Sequence, residues 1–100
     1  MSASDAVSRS SSRDLEQEAL RRFRLLAPII PPSCKVYRET WNNNTAVCLD
    51  FQHCPLELER VKENTPILMT ALETLGLGKS IIFREGNHIR GWRNLLKFSP

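Results

Sequence analysis

Apolar residues in the first third of the chain recur with the period of an amphipathic helix. From Asp14 onward they lie three or four positions apart, which predicts that one face of a helix packs on a core: Leu15, Ala19, Phe23 and Leu26. Asp14 is expected to cap this helix. Pro28 is expected to end it near Ala27, because the residue before a proline disfavours the α region.

The middle of the chain changes to the alternating pattern of β-strands. The runs "CKVYRETW" at 34–41 and "TAVCLDF" at 45–51 are rich in β-branched and aromatic residues and are separated by asparagines, so we expect a hairpin. In the second run Val47, Leu49 and Phe51 share one face, which we expect to look into the core. Cys48 lies on the opposite face, packed or partly exposed.

Two prolines mark helix starts in the third quarter of the chain. Pro55 and Pro66 each suit a first helical turn, so we expect two short helices or one helix kinked near Pro66. Gly76 is placed to close the last of them with a left-handed cap. The stretch "IIFREGNHIRGW" at 81–92 then predicts a second hairpin, which turns at Gly86-Asn87.

The predicted order of elements is α-β-β-α-α-β, with a further strand at the end. Each element has one apolar face to bury, so we predict an α+β fold, a two-layer sandwich of antiparallel hairpins covered by helices. Residues 1–11 are expected to form a flexible Ser-rich leader, 12–93 a single α+β domain, and 94–100 a basic C-terminal tail. The predicted core consists of Leu15, Phe23, Leu26, Val47, Leu49, Phe51, Val61, Leu68, Leu72, Leu75, Ile81 and Phe83.

Composition is that of an ordinary globular domain. Hydrophobic residues make up 41% and charged residues 25% of the chain, close to the average of soluble proteins. No apolar run reaches the ~18 residues of a membrane-spanning helix, and no signal-peptide pattern is present, so we expect no membrane association and a cytoplasmic location. Cys34, Cys48 and Cys54 form no C-x-x-C pair and are expected to be buried thiols rather than a disulfide set.

Positive charge is concentrated towards the C-terminal end. The net charge is +3 from 14 basic and 11 acidic residues, and Glu85 is the only acidic residue after position 78. Guanidinium groups beside a tryptophan suit the phosphates and bases of single-stranded or structured nucleic acid. The residues predicted to bind nucleic acid are Lys79, Arg84, Arg90, Trp92, Arg93 and Lys97.

The same hairpin also suits a protein-binding role. Exposed arginines are common on a solvated sheet edge, and an edge strand or Trp92 can be offered to a partner chain or to a second copy of this chain. Two hypotheses therefore stay open, a small nucleic-acid-binding module or adaptor and a protein-interaction or homo-oligomeric module. The sequence favours the first, because positive charge without nearby acid suits a polyanion.

Side chains that can carry catalysis are present but follow no catalytic pattern. His53, Cys54 and His88 give no assignable set of nucleophile, base and orienting group, and the compact Cys or His spacing of a zinc site is missing. The segment "LGLGKS" at 75–80 is similar to the end of a phosphate-binding loop, but it lacks the first glycine and follows a helix rather than a strand. We expect no enzyme activity, no metal and no small-molecule cofactor.

Part of the chain resembles a known family. The order helix–strand–strand–helix–helix–strand is that of a type II KH module, and "AVCLDFQHCPLELERVKENTPILMTALETLGLGKSIIFREG", residues 46–86, is similar in outline to the DciA-type helicase-loader family. The shared outline is a strand, a helix with a leucine-rich end and a strand similar to "IRF". The segment "ENTP" at 63–66 stands where a KH module carries its GxxG loop. The resemblance implies a nucleic-acid-binding or replication-associated adaptor and assigns no site residue.

Overall fold

The computed structural model describes residues 2–41 and 43–95, and within them three α-helices and four strands form an α+β fold, as the element order predicts. A 3-10 helix, Pro55–Glu57, precedes the second α-helix. No helix in these two ranges combines the length and apolar character needed to cross a membrane. The elements are α1 (Ser2–Leu26), β1 (Lys35–Trp41), β2 (Asn44–Asp50), α2 (Leu58–Lys62), α3 (Thr65–Leu75), β3 (Ser80–Glu85) and β4 (His88–Asn94).

The strands form one sheet in the order β1-β2-β3-β4. β1 pairs with β2, and β3 with β4, in antiparallel register, which confirms both hairpins, whereas β2 and β3 run parallel. A parallel pair needs a crossover that returns the chain to the same end of the sheet, and α2 and α3 form that crossover. The sandwich is therefore built from two antiparallel hairpins joined through a parallel central pair.

Helix α1 begins at Ser2, so the predicted start at Asp14 was wrong. Each added residue continues the hydrogen-bond ladder of an existing helix, and serine costs less than about 0.7 kcal/mol relative to alanine, so a Ser-rich stretch can continue it without apolar contacts. The predicted boundary at residues 11 and 12 is therefore not a helix boundary, and the flexibility expected of residues 1–11 stays a prediction. At the other end β4 runs to Asn94, just beyond the predicted domain end, and residues 96–100 lie outside the described ranges.

The core lies between the helices and one face of the sheet. Residues outside the predicted core, including Ala27, Ile30, Leu58, Met69 and Leu77, are also buried there. The predicted core residues confirmed as buried are Phe23, Val47, Leu49, Phe51, Val61, Leu68, Leu72, Ile81 and Phe83, with Leu75 partly buried against them.

Two predicted core residues of α1 were wrong, since Leu15 is 69% and Leu26 is 46% exposed. At about 100° per residue they lie ~80° and ~60° around the helix from Phe23, which is fully buried. The small residues Ala19 and Ala27 pack on the same core. The buried stripe of α1 is therefore narrower than the periodic pattern suggests.

An ion pair ties α1 to the sheet. The guanidinium of Arg38 on β1 donates to both carboxylate oxygens of Glu16 on α1 and, through Nη1, to the carbonyl oxygen of Leu77 at 3.0 Å. The hydrogen bonds from Arg38 hold the pKa of the Glu16 carboxyl below its ordinary value, against the opposing effect of burial. One arginine thereby joins the first helix, the edge strand and the loop after α3.

Two glycines shape the loop between α3 and β3. Gly76 has φ +61° and closes α3 as predicted, with the Leu77 N–H bonded to the Leu72 carbonyl oxygen at 3.2 Å. At Gly78 a Cβ would lie 2.5 Å from the carbonyl oxygen of Thr45, so only glycine allows this close approach to β2. The "LGLGKS" segment therefore serves as a helix cap and a packing contact.

Candidate functional site

The helices cover only one face of the sheet. A second buried cluster, Ala46, Cys48 and Ile82 with Tyr37 packed against it, lies on the other face, and of the described residues only those of strands contribute to it. Residues paired across neighbouring strands share a face. The surface that none of the described helices covers, called the open face below, consists by this register of Lys35, Tyr37, Glu39, Trp41, Asn44, Ala46, Cys48, Asp50, Ser80, Ile82, Arg84, Ile89, Trp92 and Asn94.

One row of side chains crosses the open face from edge to edge. Tyr37 pairs with Cys48, Cys48 with Ile82, and Ile82 with Trp92. Cys48 is 0% and Ile82 1% exposed, so the centre of the row is sealed. Because neighbouring strands lie about 4.8 Å apart, the two aromatic residues stand ~14 Å apart at the backbone, one on each edge strand.

A β-bulge determines which residues of β4 reach the open face. The register shifts between Phe83 and Arg84 and leaves Arg90 as an extra residue in β4. Strict alternation would put Ile89 and Trp92, three positions apart, on opposite faces. The bulge puts both on the open face, where Ile89 is 40% and Trp92 58% exposed.

An ion pair lies across the centre of the open face. Nη2 of Arg84 on β3 donates to Oε2 of Glu39 on β1 at 3.1 Å, and Cys48 lies on the strand between them. Burial raises the pKa of Cys48 to about 12, and Glu39 acts in the same direction. Nε of Arg84 is buried without a hydrogen-bond partner among the described residues. The pair therefore covers the apolar centre of the open face. The charges of Arg84 and Glu39 neutralise each other within the chain.

The open face carries no net charge by its residue types. Two cations, Lys35 and Arg84, are balanced by two carboxylates, Glu39 and Asp50. Oδ1 of Asp50 also accepts backbone N–H groups from two neighbouring turns, at 3.0 and 2.9 Å. The open face is thus an aromatic rim around a sealed, electrically balanced centre.

The residues predicted to bind nucleic acid are not gathered on one surface. Arg84 and Trp92 lie on the open face, but the charge of Arg84 is paired with Glu39. Lys79 is exposed in the loop before β3 and lines a cleft of about 450 Å³ beside the β1–β2 turn. Lys97 lies outside the described residues.

Arg90 and Arg93 lie towards the helical side of β4. Arg90 donates to a carboxylate oxygen of Glu85 and lies 3.9 Å from a carboxylate oxygen of Glu59 on α2. Arg93 lines a second cleft, about 460 Å³ in volume, together with Lys62 and residues of α3. Within the part of the chain that the structure describes, the last hairpin therefore presents no continuous basic strip.

The cysteines and histidines lie on separate elements. Cys34 and Cys48 are buried as predicted, whereas Cys54 is only half-buried, and burial raises the pKa of Cys34 to about 12. His53 is exposed in the turn after β2, and His88 is exposed at the start of β4. Across residues 2–41 and 43–95, no three His, Cys, Asp or Glu side chains meet where they could hold a metal ion. The absence of enzyme activity stays a prediction.

The sequence singled out only part of the open face. Arg84 and Trp92 were predicted site residues, whereas Tyr37, Glu39 and Ile89 were not. The alternation in "KVYRETW" was the available signal for β1, because it places residues 37, 39 and 41 on one face. Ile89 had no such signal, since only the bulge brings it there.

No family model, curated protein or solved structure matches the chain. The similarity of residues 46–86 to helicase loaders therefore stays a prediction. The open face and the charges around it are the features of the molecule that bear on its function.

Proposed function

We propose that this protein is a small non-enzymatic binding module that holds another protein on the open face of its sheet. The observation that carries the proposal is Trp92, which is 58% exposed beside a sealed apolar centre. Tryptophan, tyrosine and arginine contribute most of the binding energy in protein interfaces. All three occur together on the open face, in Tyr37, Arg84 and Trp92.

The charge pattern supports a protein partner over a polyanion. Nucleic-acid surfaces gain affinity from unpaired cations that release counterions from phosphates. On the open face Arg84 is neutralised by Glu39, and the carboxylate of Asp50 is its register partner on β2. Arg90 is neutralised in the same way by Glu85. A protein surface with both signs of charge fits this pattern better than a phosphate backbone does.

The aromatic row supports a second candidate, a module that binds single-stranded nucleic acid. Bases stack on exposed aromatic side chains largely irrespective of sequence, and the open face offers the exposed Trp92 with the half-buried Tyr37 in the same row. This candidate agrees with the similarity to helicase loaders. It needs Lys79 and Arg93 to contribute from outside the open face, since the cations on that face are balanced by acids.

Site-specific photocrosslinking separates the two candidates. A photoreactive phenylalanine analogue in place of Trp92, in the full chain and in cells that make it, should form a nuclease-resistant protein adduct that excess unmodified chain suppresses. The same analogue in place of Leu56 is the matched control, because Leu56 is 93% exposed and lies in the 3-10 helix, outside the open face. A nuclease-sensitive adduct at position 92 would support the second candidate. No adduct at position 92, or equal adducts at both positions, would contradict both.

A further inference from the structure

We propose that the protein held on the open face is a second copy of this chain, packed face to face about a two-fold axis. This inference rests on the proposed function and names its partner. The axis lies between the two sheets, runs parallel to the strands and passes between β2 and β3. It exchanges β1 with β4 and β2 with β3, so each row of the open face meets the same row of the copy in reverse order.

The side chains of the central row are complementary under this rotation. Tyr37 of one copy comes opposite Trp92 of the other, and Cys48 comes opposite Ile82. An aromatic residue therefore meets an aromatic residue at each edge, whereas Cys48 and Ile82 at the centre are already buried within their own chain. Offset or edge-to-face aromatic pairs add about 0.5–1.5 kcal/mol beyond the area they bury.

The charges of the open face are complementary under the same rotation. Asp50 and Arg84 are register partners on the two central strands, so Arg84 of each copy comes opposite Asp50 of the other. Two pairs of opposite charge therefore face each other across the axis while Arg84 keeps its ion pair with Glu39 of its own chain, and no like charges meet in this row. A face with two cations and two carboxylates attracts a copy of itself, whereas a polyanion would meet the carboxylates of Glu39 and Asp50.

The size of the open face sets the strength of the dimer. Strands about 4.8 Å apart and about six residues long at ~3.3 Å per residue give a face of ~19 by ~20 Å, or ~400 Å² in plan for each copy. A standard stable interface takes about 800 Å² of accessible surface from each partner. We therefore expect a weak dimer that dissociates on dilution.

Sedimentation velocity of the purified full chain over a hundredfold concentration range tests the second copy. The wild type should change from the mass of one chain to that of two. Trp92→Glu should remain monomeric throughout, because a carboxylate would be buried against the copy. Leu56→Glu, which alters an exposed leucine outside the open face, should dimerise like the wild type. Circular dichroism checks that both variants are folded.

Thiol crosslinking tests the axis itself. Tyr37→Cys and Trp92→Cys are placed in separate chains that both carry Cys54→Ser, so that the half-buried native thiol is removed. Facing sheets lie about 10 Å apart, too far for a direct disulfide, so a short bis-maleimide joins the two thiols by alkylation. Mixing the two chains with this reagent should give a crosslinked dimer faster than either chain alone. Equal rates would contradict the proposed arrangement.

The two proposals fail in different ways. A wild type that stays monomeric at every concentration, while position 92 crosslinks to a different protein, would overturn the second copy and support the proposed function. Absence of any protein adduct at position 92 would overturn the proposed function itself. Dimerisation that Trp92→Glu does not weaken would place the contact elsewhere and overturn the second copy on the open face.

Discussion

Arg84 on β3 and Glu39 on β1 form a hydrogen-bonded ion pair although β2 lies between their strands. Their side chains are 17% and 29% exposed, and Cys48 on the intervening strand is fully buried. The centre of the open face is thus covered by the chain's own charged side chains. The domain does not need a partner to bury this centre. A partner would bury mainly the aromatic side chains at the rim of the open face.

The Arg84–Glu39 pair should make a measurable contribution to stability. Removing one partner leaves the other half-buried and unpaired, so Arg84→Met and Glu39→Gln should each lower the free energy of unfolding. The double variant should lose less than the sum of the single losses, with a coupling of about 1 kcal/mol. Urea unfolding of the four proteins measures this coupling. Strictly additive losses would show that the pair contributes nothing.

Gly78 should tolerate substitution less well than Gly76. In Gly78→Ala the new Cβ would lie 2.5 Å from the backbone oxygen of Thr45, and relieving this contact should cost about 2–3 kcal/mol. Gly76→Ala meets open space and only the strain of φ +61°, about 1 kcal/mol. Thermal or urea unfolding compares the two variants. Equal losses would contradict the packing role of Gly78.

The three thiols should react in a fixed order. Burial raises the pKa of Cys34 and Cys48 to about 12, so almost no thiolate forms at pH 8 and the side chains are also inaccessible. Iodoacetamide should therefore label Cys54 first in the native protein and the other two only after unfolding. Peptide mass spectrometry reports the order. Native labelling of Cys48 ahead of Cys54 would mean that the centre of the open face is not sealed.

The Glu16–Arg38 pair should contribute to acid sensitivity. Hydrogen bonding by Arg38 lowers the pKa of Glu16 in the folded state, whereas the unfolded carboxyl keeps its ordinary value of 4.5. The stabilisation is therefore fully present above pH 4.5 and is lost as the pH falls through the lowered pKa. Glu16→Gln should flatten the fall in the urea midpoint over that range.

A matched control for the acid sensitivity is Glu63→Gln, which alters an exposed glutamate in the turn after α2. This variant should keep the wild-type pH profile below pH 4.5. A wild-type profile in Glu16→Gln would instead assign the acid sensitivity to other carboxylates.

The elements that the sequence predicted well are those with strict local periods. Val47 and Leu49 on β2, and Ile81 and Phe83 on β3, alternate with residues of the other face and are buried as expected. The parallel pairing of these two strands was not predicted. This pairing depends on the end of the sheet to which α2 and α3 bring the chain back. No local sequence pattern determines that end.

The distribution of the arginines depends on geometry that the sequence does not show. Counting alternate positions along β4 fails at Arg90, because the bulge adds one residue there. In the sequence, Gly91 is only an indirect sign of the bulge. Its φ is +150°, and a Cβ there would lie 3.2 Å from Nζ of Lys62. A C-terminal run that is basic in sequence is therefore divided between two sides of the sheet in the fold.

The parallel centre of the sheet has a consequence for folding kinetics. Each hairpin closes over a short turn, whereas pairing Ala46 with Ser80 closes a long loop that contains α2 and α3. The entropy of that long closure is lost before the contacts compensate for it. Stopped-flow refolding should accordingly slow more in Val47→Ala, at the centre, than in Val36→Ala, on the edge strand, and equal slowing would mean that the hairpins join early. Slower refolding of Val47→Ala would mean that pairing β2 with β3, which joins two quickly formed hairpins, is the rate-limiting step of folding.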